Sequence, residues 1–328
     1  MIDFVLNRTD RSCACPVDIP APQKQISRFA LGMAAETLFL MALGSATRVM
    51  NAGLACPDWP LCYGELIPQK QMNFQVFLEW FHRLTASSMG VFAIALAALA
   101  WWYRSSLPRW TPWATLLALA LVVFQGVLGG LTVTELLRFD IVTAHLGTAL
   151  LFFITLLAIG ILLMPYQGTN RAGTLRWIGL TASILVYLQS ILGALVGSQW
   201  ALHQCLGTSS LCLVMNSHIL GVVPPTVATL ALVVIAWRTA ALHPTLRTLA
   251  TMAGGLVLLQ ILLGIATFQL RLQVEPLTIS HQAIGAVLLG TLVSFTVLAM
   301  RDLIPVIPQP NDDAIALFPD QPAEHPSA

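Results

Sequence analysis

The sequence predicts an all-α integral membrane protein whose eight transmembrane helices form two tandem four-helix bundles, with both termini on the inner side. Three observations carry this expectation. The 328 residues are 57% hydrophobic and only 9% charged, whereas a soluble chain carries about 25% charged residues. Eight apolar stretches are each long enough, at about 20 residues, to cross a bilayer as a helix, and none alternates in the manner of a membrane β-strand. Four histidines in these stretches form two pairs with one spacing: His218 follows His82, and His281 follows His145, by 136 residues.

Taken in order, each stretch has a reason to be a span and an echo elsewhere. The first, 29–50, carries Gly44-Ser45-Ala46, small residues that admit a neighbouring helix. The second, 76–103, opens on Glu79-Trp80-Phe81-His82-Arg83. The third, 113–134, holds Gln125 and Gly129, and the fourth, 141–164, holds His145. The fifth, 175–197, repeats Gln-x-x-x-Gly as Gln189 and Gly193, and the sixth, 213–237, contains Met215-Asn216-Ser217-His218-Ile219. The seventh, 247–269, brings Gln260 and Gly264, and the eighth, 279–300, brings His281. The glycines read as helix-packing residues.

The chain therefore divides into an inner tail (1–28), an N-terminal bundle (29–164), an inner linker (165–173), a C-terminal bundle (174–302) and a second inner tail (303–328). Both tails are expected to be disordered cytoplasmic segments. An even number of helices per bundle gives both copies one orientation, so the repeat is parallel. With the N-terminus inside, eleven of the sixteen basic residues fall on the inner side, as the positive-inside rule requires. Residues 1–27 are polar, include Pro16, Pro20 and Pro22, and resemble neither a secretory signal nor a transit peptide. The expected location is the bacterial inner membrane, with the cysteine loops and histidines toward the periplasm. A net charge of +1 gives no ground for nucleic-acid binding.

An ionisable side chain in lipid is costly unless it has a partner or a task. His82, His145, His218 and His281 each lie near the outer end of an even-numbered span. Two imidazoles at equal depth on neighbouring helices can take one iron from opposite faces, so the pairs suggest two hemes. Zinc or copper is the weaker reading, since no sulfur or carboxylate recurs beside both pairs. His203, His243 and His325 are expected to be solvated.

The halves differ where chemistry would occur. Glu79 lies three residues before His82 and on the same helix face, but Met215 takes the equivalent place before His218, and Ile219 replaces Arg83. Glu79 is a candidate proton acceptor or stabiliser of developing positive charge. The alternative is a simple salt bridge to Arg83 or Arg48. Both arginines are candidate partners for heme propionates. Twenty residues separate Cys62 from His82, against six from Cys212 to His218, so the first loop has length for a lid or a docking surface.

Cys56 with Cys62, and Cys205 with Cys212, lie in outer loops, where disulfides are expected. Cys205–Cys212 reads as structural. Cys56–Cys62 reads equally as structural or redox-active. Cys13 and Cys15 carry no assignment.

Gly-Leu-Ala-Cys-Pro-Asp-Trp-Pro-Leu-Cys-Tyr-Gly (53–64) followed by Glu-Trp-Phe-His-Arg (79–83) resembles the signature of the heme A synthase family. With the four histidines and the repeat, the resemblance covers nearly all of 29–300. It implies oxidation of the C8 methyl group of heme O, through a hydroxymethyl stage, to the formyl group of heme A for cytochrome oxidase. It further implies that His82 and His145 hold heme O, that His218 and His281 hold a permanent heme b, and that Glu79 is the catalytic acid/base. The same likeness makes Cys56 and Cys62 functional. Implied partners are heme O synthase, cytochrome oxidase assembly factors, membrane lipid and a second copy of the chain.

Other classes compete. A quinone-linked diheme b-type electron-transfer cytochrome uses all four histidines but leaves Glu79 idle. A thiol oxidoreductase uses the cysteines, yet neither pair is Cys-x-x-Cys, and it leaves the histidine register to chance. A heme exporter would treat the first heme as cargo.

Overall fold

The computed structural model describes residues 20–198, 210–270 and 274–303. Its regular elements are nine α-helices among the described residues: α1 (Ala21–Val49), α2 (Phe74–Trp102), α3 (Thr111–Thr134), α4 (Phe139–Leu163), α5 (Leu175–Ser198), α6 (Ser210–Leu220), α7 (Val223–Arg238), α8 (Pro244–Gln269) and α9 (Glu275–Arg301), with two single-turn 3₁₀ segments. Eight spans are long and apolar enough to cross a membrane, α6 and α7 together forming one of them, Leu213–Arg238.

Two boundaries differ from expectation. Helix α1 starts at Ala21, so residues 21–28 extend the first helix and are not part of a tail. Pro20 and Pro22 favour this early start, because proline fits the first helical turn, where its missing N–H has no intrahelical partner anyway. The sixth span is interrupted at Gly221 and Val222, three residues after His218. Pro224 and Pro225 explain the break, since neither can donate to the carbonyls of the preceding turn. The corresponding stretch of α2 has no proline and runs on unbroken.

The chain divides between Pro165 and Tyr166 into two compact units. In the first, α1 packs on α2 and α4, and α3 packs on α2 and α4, giving a closed ring of four helices. Helix α4 is the most enclosed span of this unit, burying Phe152, Phe153, Leu156 and Ile159. Small residues set the closest approaches: the Ser27 hydroxyl donates to the Gly160 carbonyl at 2.8 Å, and a Cβ on Gly160 would fall 2.5 Å from Leu31. In the second unit, α5 packs on α6, α7 and α9, and α8 packs on α7 and α9. Here α9 is the enclosed helix, with Phe295 fully buried against Gly179 of α5. Apolar side chains left exposed on the spans, such as Val91, Ile94, Val123 and Leu262, are the lipid-facing surface that a membrane helix needs.

A lock closes the linker end of the second unit. The buried Asp302 carboxylate accepts the backbone N–H groups of Thr169, Arg171 and Ala172 at 2.7–2.9 Å. Burial raises its pKa, but these backbone donors outweigh that, and the carboxyl is held below its ordinary value. The tail residues 1–19 and 304–328, with Cys13, Cys15 and His325, lie outside the described residues, as does His203. The expected Cys205–Cys212 bridge falls outside the described side chains.

Candidate active site

Each of the four histidines is seated on a glycine of the helix before it. A Cβ built on Gly44 would lie 2.9 Å from Cε1 of His82, on Gly193 2.9 Å from that of His218, on Gly264 3.0 Å from that of His281, and on Gly129 3.4 Å from that of His145. The glycines do more than let helices approach. They clear the volume the imidazoles occupy. In the first unit His82 comes from α2 and His145 from α4, helices standing diagonally in the ring and not side by side. That corrects the expectation of neighbouring helices, and it sets the two rings on opposite walls of one bundle.

Glutamines sit one turn before three of these glycines. The Gln125 amide donates to the His145 carbonyl at 2.9 Å. The Gln189 amide nitrogen donates to the His218 carbonyl at 2.7 Å and lies 3.0 Å from His218 Nδ1. The Gln260 amide nitrogen is 3.4 Å from His281 Nε2. The recurring Gln-x-x-x-Gly spacing was the available signal for these contacts, but packing alone explained it equally well.

Glu79 is 3% exposed, and both of its oxygens are engaged. Oε2 accepts the backbone N–H of Cys56 at 2.8 Å, and Oε1 accepts from the Arg83 guanidinium at 2.6 Å. The i,i+4 spacing puts acid and base on one face of α2, and pairing is what makes a buried carboxylate tolerable. Arg83 also donates to the carbonyls of Asp58 and Leu61, each at 2.6 Å, and of Cys56 at 3.3 Å. Its guanidinium thus ties the loop between α1 and α2 to α2.

That loop is closed by a Cys56–Cys62 disulfide, both cysteines being buried. The Asp58 carboxylate accepts the backbone N–H groups of Tyr63 and Gly64 at 2.6 and 2.7 Å, and these hold its pKa down, that of Gly64 most strongly. Trp59 lays its indole over Gly130 of α3, where a Cβ would lie 3.2 Å from the ring. Gly130 is next to Gly129, the seat of His145. The loop therefore joins Glu79 of α2 to α3, the helix that seats His145. Trp59 entered the sequence reading only within the 53–64 signature and was given no role of its own. Arg48 stands in the last turn of α1 and pairs with no acidic side chain among the described residues.

Residues 27–293 match the family model described as cytochrome oxidase assembly protein, COX15-CtaA. The chain belongs to this family. Among its relatives, a heme A synthase of Shewanella oneidensis is 24% identical over 308 residues, covering 79% of this chain and 92% of the relative. A heme A synthase of Caulobacter vibrioides is 28% identical over 322 residues, covering 80% and 92%. A shorter match, to a heme A synthase of Bacillus pumilus, is 29% identical over 131 residues, covering 38% and 42%.

All four histidines, Glu79 and the disulfide loop lie inside the matched stretch, and their donor set fits heme. His218 and His281 have ring centroids 6.4 Å apart and rings at 89°. Two imidazoles sharing one metal, each nitrogen about 2 Å from it, put their centroids about 6 Å apart. Among the described residues no three or more His, Cys, Asp or Glu side chains converge as a metal site. Each histidine pair then offers two ligands, the number a porphyrin iron takes and fewer than a protein-built zinc site. In the first unit the Nδ1 atoms of His82 and His145 are buried without a hydrogen-bond partner.

Proposed function

We propose that this chain is a heme A synthase, a multi-pass membrane oxidoreductase that converts the C8 methyl group of heme O to a formyl group through a hydroxymethyl stage. His82 and His145 would hold the substrate heme O, and His218 and His281 a resident heme b. The observation that carries this reading is Glu79: a buried carboxylate, three residues from one histidine pair, with no counterpart in the other half, where Met215 stands.

With water as the oxygen donor, each of the two oxidations removes two electrons from the C8 carbon, forms one C–O bond and releases two protons; the hydrate formed in the second loses water to give the formyl group. Glu79 is the group that takes up a proton beside that carbon and steadies positive charge as it develops there. The Cys56 N–H and the Arg83 guanidinium hold the carboxylate in place, which is the preorganisation such a role needs. Arg83 is already committed to Glu79 and three loop carbonyls, so Arg48 is the better partner for a propionate. The loop carrying Trp59 lies over Gly130, beside the seat of His145. A heme b in the second pair would supply one-electron relay toward an acceptor. The site faces the periplasm of a bacterial inner membrane, and the product passes to cytochrome oxidase assembly.

Heme extraction and chromatography after co-expression with a heme O synthase tests this. Heme A is expected with the wild type and not with His82→Ala. A folded, red protein that yields only heme B and unchanged heme O would instead be a diheme electron carrier.

A further inference from the structure

The four histidine seats follow one rule with one exception. On α3, α5 and α8 a glutamine stands four residues before the seating glycine: Gln125 before Gly129, Gln189 before Gly193, and Gln260 before Gly264. On α1 the same place before Gly44 is Leu40. Each glutamine reaches the histidine that rests on its own glycine. Leu40 has no donor or acceptor to offer; His82 Nδ1 is buried without a partner, as are those of His145 and His281, while His218 Nδ1 alone has a glutamine beside it.

The exception falls where the halves must differ. His82 and His218 are repeat equivalents, each seated at 2.9 Å on its glycine. Yet His218 is gripped by Gln189 at both its carbonyl and its ring, while His82 is gripped at neither. In the second unit the Gln189 amide lies 3.0 Å from His218 Nδ1 and the Gln260 amide 3.4 Å from His281 Nε2, with His281 Nδ1 unpartnered; in the first unit Gln125 bonds only the His145 backbone, so the contrast that carries weight is His218 against His82. A ligating histidine is fixed when its other ring N–H donates to a held acceptor, and loss of such a partner typically costs about 10–100-fold in metal affinity; the buried, unpartnered Oε1 of Gln189 is the acceptor at hand for His218 Nδ1 once that amide is turned. A heme that stays needs that grip. A heme that is both substrate and product must leave.

We infer that Leu40 makes His82 the exchangeable ligand of the first site, so that heme O is admitted and heme A discharged by release of the His82 side while His145 keeps its hold. This rests on the proposed function, in which the first pair binds the substrate heme. Leu40 acts through His82 and is a positioning residue.

The test uses the full-length chain in detergent micelles, loaded with heme O at the first site and heme B at the second. Heme transfer to excess apomyoglobin is followed by absorbance, and carbon monoxide binding to the reduced protein by the Soret band. The wild type should show a fast and a slow phase of heme loss, and a fraction of heme that binds carbon monoxide readily as His82 yields its place. Leu40→Gln should slow the fast phase by about 10-fold and slow carbon monoxide binding in parallel. Leu40→Met, similar in size but unable to make the bond, should leave both unchanged. Gln189→Leu should quicken the slow phase. An unaltered fast phase in Leu40→Gln, or equal slowing in Leu40→Met, would overturn the inference while leaving the synthase reading intact. A single phase with no heme O retained in any variant would overturn the synthase reading, and the inference with it.

Discussion

The backbone N–H of Cys56 donates to Glu79 Oε2 at 2.8 Å, so the one buried acid of the first histidine pair is held by the disulfide loop itself. Arg83 closes the arrangement from the other side through Glu79 Oε1 and three loop carbonyls. Loop, arginine and acid form a single construction, and a change in any one of them should register in the others.

Arg83→Ala leaves Glu79 buried with half its partners and frees the loop. Breaking a buried pair from one side costs about 3–5 kcal/mol, so a clear fall in the thermal midpoint of the first unit is expected by scanning fluorimetry in detergent. The Arg83→Met/Glu79→Leu double variant should recover part of that loss, because it removes the stranded charge. A double variant no more stable than Arg83→Ala would contradict the pairing.

Replacing Cys56 and Cys62 together with serine opens a short loop. Chain entropy alone puts the loss at about 2 kcal/mol, and the Cys56 N–H should drift from Glu79. The variant is expected to keep its hemes yet make less heme A, as extraction and chromatography would show. Full product yield from the serine variant would mean that the loop does not position the acid.

The glycine seats give a graded prediction. An added methyl meets the imidazole at 2.9 Å for Gly44 and Gly193, at 3.0 Å for Gly264 and at 3.4 Å for Gly129. Overpacking typically costs about 1–3 kcal/mol, and here the ring gives way before the backbone. Alanine at Gly193 or Gly264 should reduce retained heme b, alanine at Gly44 should weaken heme O binding, and alanine at Gly129 should do least. Pyridine hemochrome content per protein reads the order directly.

Asp302→Ala removes the acceptor for three backbone donors of the linker and should destabilise the second unit by about 1.5–3 kcal/mol, the range for a hydrogen bond to a charged group. Because the carboxyl is held below its ordinary value, its contribution is complete above the usual carboxylate range and is lost only as pH falls through the depressed folded value. Thermal midpoints of the wild type should therefore show no change from this group near neutral pH, and the difference between wild type and Asp302→Ala should shrink only in strong acid.

Much of this was legible in the sequence because lipid makes the constraints simple. A run of apolar residues long enough to span must be helical, so the eight spans and the histidine register followed from residue type and spacing. The asymmetry at Glu79 and Met215 was equally readable. What pairwise spacing could not supply was direction: which wall a histidine comes from, and that Gln189 bends back to a histidine 29 positions ahead. The break at Gly221–Val222 was signalled by Pro224 and Pro225, but unbroken hydropathy concealed it. Trp59 lying on Gly130 joins two segments with no common motif, and only the folded chain brings them together.

The most direct test of the central claim is the heme profile of Glu79→Gln beside the wild type, each co-expressed with a heme O synthase and checked for equal heme per protein. Glutamine keeps an acceptor for the Cys56 N–H but cannot take up the proton, and loss of a general base typically costs about 10²–10⁴-fold in rate. The account predicts a red, folded variant that retains heme O with little or no heme A. Wild-type amounts of heme A from Glu79→Gln would contradict it.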